Sequence, residues 1–115
     1  MELNIEMIKF FLEKLKINTK TIFSSELNIS DKSSDRILKI CKALDADTYI
    51  SGISGKNYLN LDDFEKNSIN VIFQKFQHPT YQQVFEPFHL NMSAMDLLFN
   101  EGNNASKIIK KYNEF

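Results

Sequence analysis

Ile5, Ile8, Leu12 and Leu15 recur at helical spacing, Met7 and Phe11 widen the same apolar face, and Glu2, Glu6, Lys9 and Lys16 fall elsewhere. This period predicts an amphipathic helix over residues 3–16. The β-branched run Thr19–Phe23 predicts a strand ending in the polar Ser24-Ser25-Glu26, and an irregular stretch follows from Leu27 to Ser34. Ser33 or Ser34 is placed to cap a helix over 34–44, with Asp35 in its first turn and Ile37, Ile40, Cys41 and Leu44 as its buried face. A second strand, Thr48–Ile50, breaks into Ser51-Gly52 and Ser54-Gly55. Asp62 and Asp63 open a short helix carrying Phe64, and alternation over Ile69–Phe76 predicts a third strand.

Strands separated by helical crossovers imply a parallel sheet. The expected class is therefore α/β: a small three-stranded, mainly parallel sheet with helices on its faces, followed by a C-terminal helical pair. Before that pair, Pro79 and Pro87 keep residues 78–90 extended or irregular. Asn91 or Ser93 caps a helix to about Asn100 that Gly102 closes, with Met92, Met95, Leu98 and Phe99 on its apolar side. Ser93, Asp96 and Asn100 form a polar stripe beside them. The last helix, Ala105–Tyr112, buries Ile108 and Ile109 and turns Lys107, Lys110 and Lys111 to solvent.

A length of 115 residues suits a single domain, and 43% apolar residues with ten Phe can supply one core. A net charge of −1 argues against general nucleic-acid binding, which needs a cationic surface. The lone Cys41 rules out an internal disulfide and a Cys-rich metal site; on an apolar stripe it reads as a small core residue rather than a reactive thiol. No His, Cys, Asp or Glu spacing makes a metal site, and no cofactor is expected. No apolar run approaches the ~20 residues of a membrane span. No basic segment leads into an apolar leader, so the expected location is the cytoplasm.

The loop Tyr49–Tyr58 holds two of the three glycines. A strand that breaks into small residues is how an open α/β sheet makes room for a ligand at its carboxyl edge. Glycine N–H groups there can hold an anion, and Lys56 adds positive charge. A strand running into a glycine turn is also ordinary punctuation. The loop is not a Walker A motif: its glycines stand two residues too close, and Asn57 occupies the position of the required hydroxyl.

Four separated motifs carry more information than the loop alone. Ser24-Ser25-Glu26-Leu27, the loop from Tyr49 to Leu59, Phe76-x-His78-Pro79-x-Tyr81 and Ser93-x-x-Asp96-Leu97-Leu98-Phe99-Asn100-x-Gly102 follow in that order. Together they resemble the WbqC-like proteins of bacterial surface-polysaccharide gene clusters, over nearly the whole chain. The resemblance is to the carboxyl half of members about twice this length. Their amino half carries a His-Gln-Pro-x-Tyr-x-Pro-Trp segment absent here, which implies a truncated product with Met1 as a start inside a longer ancestral frame. The resemblance implies a Rossmann-like half and a role in making or decorating O-antigen-type glycans, by transfer of a group to a nucleotide-activated sugar.

On this reading Ser51, Gly52, Gly55 and Lys56 offer backbone N–H groups, a hydroxyl and a charge to a phosphate or sugar, while Tyr58 stacks or belongs to the core. Gly55→Val is expected to remove binding with the fold intact. Ser24 and Ser51, each ending a strand, would face one edge of the sheet, with Glu26 as a candidate carboxylate. His78 is a candidate general base or a brace for the turn before Pro79, and Tyr81 a substrate-binding companion in the same motif. Asp96 either touches substrate or clamps a neighbouring loop; His89 is a surface residue. The expected ligand is a nucleotide sugar or another small molecule. A transferase-like enzyme, a non-catalytic ligand-binding half-domain and a vestigial product remain open. The latter two need a second copy or partner chain, or leave an apolar face bare.

Overall fold

The computed structural model describes residues 2–111; Met1 and Tyr112, the expected end of the last helix, lie outside the described residues. The described residues divide into two compact units, residues 21–75 and residues 2–20 with 76–111. Each has its own buried cluster.

The unit of residues 21–75 contains α2 (Ser33–Ala43), β1 (Thr48–Ser51), α3 (Leu61–Lys66) and β2 (Asn70–Phe73), preceded in the chain by α1 (Glu2–Lys14) of the other unit. β1 and β2 pair in parallel, from Thr48 opposite Asn70 to Ser51 opposite Phe73, and α3 lies in the crossover between them. The sheet thus has two strands where three are expected. Thr19–Phe23 is irregular, and every residue in it is exposed. A strand is held by ladder bonds and by burial of a face; here Ile22 and Phe23 both face solvent, so β propensity has nothing to act on. No Rossmann-like arrangement follows from two strands. β2 also stops at Phe73 rather than Phe76, because β1 ends at Ser51, whose carbonyl takes its last ladder bond from the Gln74 N–H at 2.8 Å.

Phe64 is fully buried, with Cys41, Leu59 and Ile69 around it and Tyr49 stacked on its ring at a centroid distance of 5.9 Å. The alternation of β2 turns Val71 and Phe73 to this core. Burial pushes the Cys41 thiol pKa up, as suits a core residue. Neither Ser33 nor Ser34 caps α2: Lys32 holds the N-cap position, and the Ser34 hydroxyl accepts the Asn60 N–H at 2.9 Å, tying the start of α3 to α2. Leu44 is exposed because α2 ends at Ala43, one residue before the stripe would carry it inward.

In the other unit Leu15, Tyr81, Leu97 and Ala105 form the core, with α1, α4 (Ala94–Glu101) and α5 (Ala105–Lys111) around it. Phe11 near the end of α1 and Leu15 just beyond it reach this core, and Ile5 and Leu12 are half-buried, but Met7 and Ile8 of the expected face are exposed. Ser93 takes the N-cap position of α4, and Gly102, at φ +50°, closes the helix as expected. Leu97 is the buried residue of α4, whereas Met92, Met95 and Phe99 of the expected apolar side are exposed. At 100° per residue Phe99 lies about 200° around the helix from Leu97, so the side that takes Leu97 inward turns Phe99 out. Among the described residues no helix is long and apolar enough to cross a membrane.

Candidate functional site

β1 delivers Ser51 to the start of the glycine loop, but the side chain is only 2% exposed and its hydroxyl donates to the Gly52 carbonyl at 3.0 Å. Residues Ile53–Asn57 form a 3₁₀ turn. The Gly55 N–H donates to the Gly52 carbonyl at 3.0 Å, and the Gly55 carbonyl accepts from the N–H groups of Tyr58 at 3.2 Å and Leu59 at 2.9 Å. The N–H groups of Gly55, Tyr58 and Leu59 are thus spent inside the turn. Gly52, by contrast, is exposed with open space around it. Lys56 is exposed and sets its ammonium over the Phe73 ring, 5.3 Å from the centroid, as a cation–π contact. Tyr58 is about half exposed.

Gly55 is buried for a packing reason. A Cβ there would fall on the Ser51 hydroxyl oxygen and press on Leu59 at 3.1 Å. The expectation that Gly55→Val spares the fold is therefore overturned: valine has no room. Gly55→Val is expected to cost at least the 1–3 kcal/mol typical of an overpacked core, read as a lowered urea midpoint. Gly52→Ala, with open space around it, should leave that midpoint unchanged.

Ser24 and Glu26 lie in a second 3₁₀ turn, Ser24–Leu27, with no strand before it. Ser24 therefore has no strand end to match that of Ser51. The Glu26 carboxylate accepts the Phe23 N–H at 3.4 Å, and both side chains are exposed.

His78, Tyr81 and Asp96 belong to the other unit. Nδ1 of His78 lies 2.9 Å from the Pro79 carbonyl oxygen. A carbonyl can only accept, so Nδ1 carries the proton and Nε2 of the neutral ring holds a lone pair. Phe76, Tyr81 and Phe88 surround the imidazole at ring distances of 6.1–6.4 Å. His78 lies on a hollow of about 230 Å³, lined also by Phe76, Tyr81, Ser93, Leu97 and Ile109. A mainly apolar recess with an imidazole and the hydroxyl-bearing Tyr81 and Ser93 can hold a small ligand and accept its proton.

The buried Tyr81 donates its phenol to Asp96 Oδ2 at 2.6 Å, and Gln83 Nε2 donates to the same oxygen at 3.2 Å. Asn100 accepts the Val84 N–H at 3.0 Å, and Glu101 accepts the Gln82 N–H at 3.2 Å. Gln83 also bonds both backbone groups of His89, at 2.8 and 2.9 Å. The polar side of α4 thus straps the Tyr81–His89 segment in place, and Asp96 is one of its clamps. Phe88 and Gln83 escape sequence reasoning because they sit in a stretch without period. Neighbouring Pro87 marks only irregularity.

Burial, and next the bond to Asp96, pushes the Tyr81 phenol above its ordinary pKa. A raised folded-state pKa gives stability that is complete below the unfolded value near 10 and lost as pH rises beyond it. Tyr81→Phe should cost about 1.5–3 kcal/mol at neutral pH, the range for a hydrogen bond to a charged group, and should flatten the alkaline fall in stability. Urea titrations at pH 7 and above pH 10 test both; an unchanged alkaline slope would exclude this role for Tyr81.

Among the described residues no group of His, Cys, Asp and Glu is arranged to hold a metal ion. A family model described as the WbqC-like protein family matches residues 1–108. The uncharacterized protein Rv1507c of Mycobacterium tuberculosis is 28% identical over 109 residues, 94% of this chain and 47% of that protein. The chain therefore spans about half the length of this curated relative. No solved structure matches.

Proposed function

Because the chain belongs to the WbqC-like protein family, we propose that it works in the cytoplasm on bacterial surface polysaccharide of the O-antigen type, as a transferase acting on a nucleotide-activated sugar. The observation that carries this reading is His78, with Nδ1 held by the Pro79 carbonyl and the ring on a hollow beside Tyr81 and Ser93. In the reaction Nε2 takes the proton from the sugar's attacking hydroxyl or amine as that atom bonds to the incoming group; the donor's leaving group departs with the bonding pair. Tyr81 lines this recess, and Asp96 holds it in place by accepting its phenol O–H. In the other unit Lys56, Tyr58, Gly52 and Ser24 are the accessible ligand contacts, with Glu26 as a further carboxylate. Ser51 and Gly55 shape the loop beneath them.

Thermal unfolding with UDP-, GDP- and dTDP-sugars tests the reading. A ligand at 100 times its dissociation constant adds about 2.7 kcal/mol, so one of these probes should raise the melting temperature clearly. No rise with any at millimolar concentration would sink the proposal. A second reading, a non-catalytic ligand-binding half-domain completed by another copy or a partner chain, draws on α1, where Leu3, Met7, Ile8 and Phe10 are all exposed. Such a row normally has a cover. A monomer in solution that still turns over substrate would exclude it.

A further inference from the structure

Phe85 and Phe99 are 80% and 79% exposed, and both border one hollow of about 290 Å³. Gln83, Val84, His89, Met92, Asp96 and Asn100 complete its lining. Two such rings bordering one hollow make an apolar surface that a bound ligand would cover. The segment that carries Phe85 is nevertheless fixed, through the bonds of Gln83, Asn100 and Glu101 described above. The rings are therefore displayed on a strapped backbone.

The polar groups have a definite character. Both bonds to the Asp96 carboxylate fall on Oδ2, from Tyr81 and Gln83, which leaves Oδ1 to accept a donor from the hollow. His89 adds an exposed imidazole. Flat apolar rings beside a carboxylate oxygen and an imidazole match a molecule with an apolar C–H face and a rim of hydroxyl donors. A pyranose ring is that molecule. The hollow, at about 290 Å³, has room for one such ring.

We infer that the Phe85–Phe99 hollow is a monosaccharide subsite, distinct from the His78 recess, in which a pyranose ring lies on the aromatic faces and donates a hydroxyl to Asp96 Oδ1. The inference deepens the sugar-transferase reading by placing an acceptor residue, and it rests on that reading only for the ligand's biological source.

Saturation-transfer NMR with free methyl pyranosides of glucose, galactose, rhamnose and N-acetylglucosamine tests it, with sorbitol as a control that has hydroxyls but no ring. The expected result is transfer to the C–H protons of at least one pyranoside and none to sorbitol. Phe99→Ala should weaken that binding roughly two- to tenfold, the loss of one aromatic contact. Because Phe99 is exposed, its alanine variant keeps the fold, and circular dichroism checks this. No transfer to any pyranoside, or transfer equal in wild type and Phe99→Ala, overturns the subsite; stabilisation by a nucleotide sugar would meanwhile leave the transferase reading standing. Concentration-dependent self-association that Phe99→Ala abolishes would also overturn it, by making the hollow an interface between copies.

Discussion

Phe64→Ala is expected to lower the stability of the unit that carries it by about 3–5 kcal/mol, the range for deleting a buried phenylalanine ring. The ring is fully buried, Tyr49 stacks on it, and Cys41, Leu59 and Ile69 pack round it, drawn from α2, the loop and the approach to β2. Its removal takes one wall from every element of that core at once. Whole domains are stable by only about 5–15 kcal/mol, so the variant should melt near ambient temperature or fail to accumulate. Urea unfolding followed by far-UV circular dichroism measures the effect. A loss below about 1 kcal/mol would mean that the ring's surroundings collapse to fill the space, and that Phe64 does not organise the core. Phe64→Leu, which keeps most of the volume, should recover the larger part of the loss.

His78→Gln is expected to reduce transfer to a sugar acceptor by about 10²- to 10⁴-fold at saturating substrate, the usual contribution of a positioned general base. Glutamine fills similar space and can still donate to the Pro79 carbonyl, but its amide cannot take up a proton. The alternative role, a brace for the turn, predicts the opposite division: lower melting temperature with turnover per folded molecule unchanged. Measuring both on one preparation separates them, and full turnover by the variant would remove His78 from the chemistry.

Periodicity made the helices and the pairing strands legible. α1, α2, α4 and α5 fall within two residues of the expected limits where the described residues allow comparison, and β1 differs by one residue. Asp62 and Asp63 pointed to a short helix carrying Phe64, and α3 forms there; that Phe64 would be its buried residue was not read from the sequence. The failures share a cause. Thr19–Phe23 has the residue types of a strand, yet a strand exists only when another offers it hydrogen bonds, and that is a tertiary fact. The buried side of α4 was misread because Leu97 and Phe99 are both large and apolar, and only packing chooses between them. At the loop, the glycine pattern marked a turn, and the packing that keeps Gly55 without a side chain was not legible in it. Gly55 is small because Ser51 lies against it, and the turn uses its own N–H groups. Nothing in the spacing of Gln83, Phe85 and Phe88 announced that α4 would strap their segment down. That arrangement rests on contacts across six to nineteen positions.

The unit built from residues 2–20 and 76–111 is interrupted by the whole of the other. Its core joins Leu15 to Leu97 and Ala105, so about 80 residues are synthesised between the first of these and its partners. At roughly 5–20 residues per second the apolar side of α1 waits on the ribosome for several seconds with nothing of its own to cover it. That nascent helix is therefore the segment of this chain where chaperone capture should concentrate. Faster translation, by shortening the wait, should raise the yield of native protein.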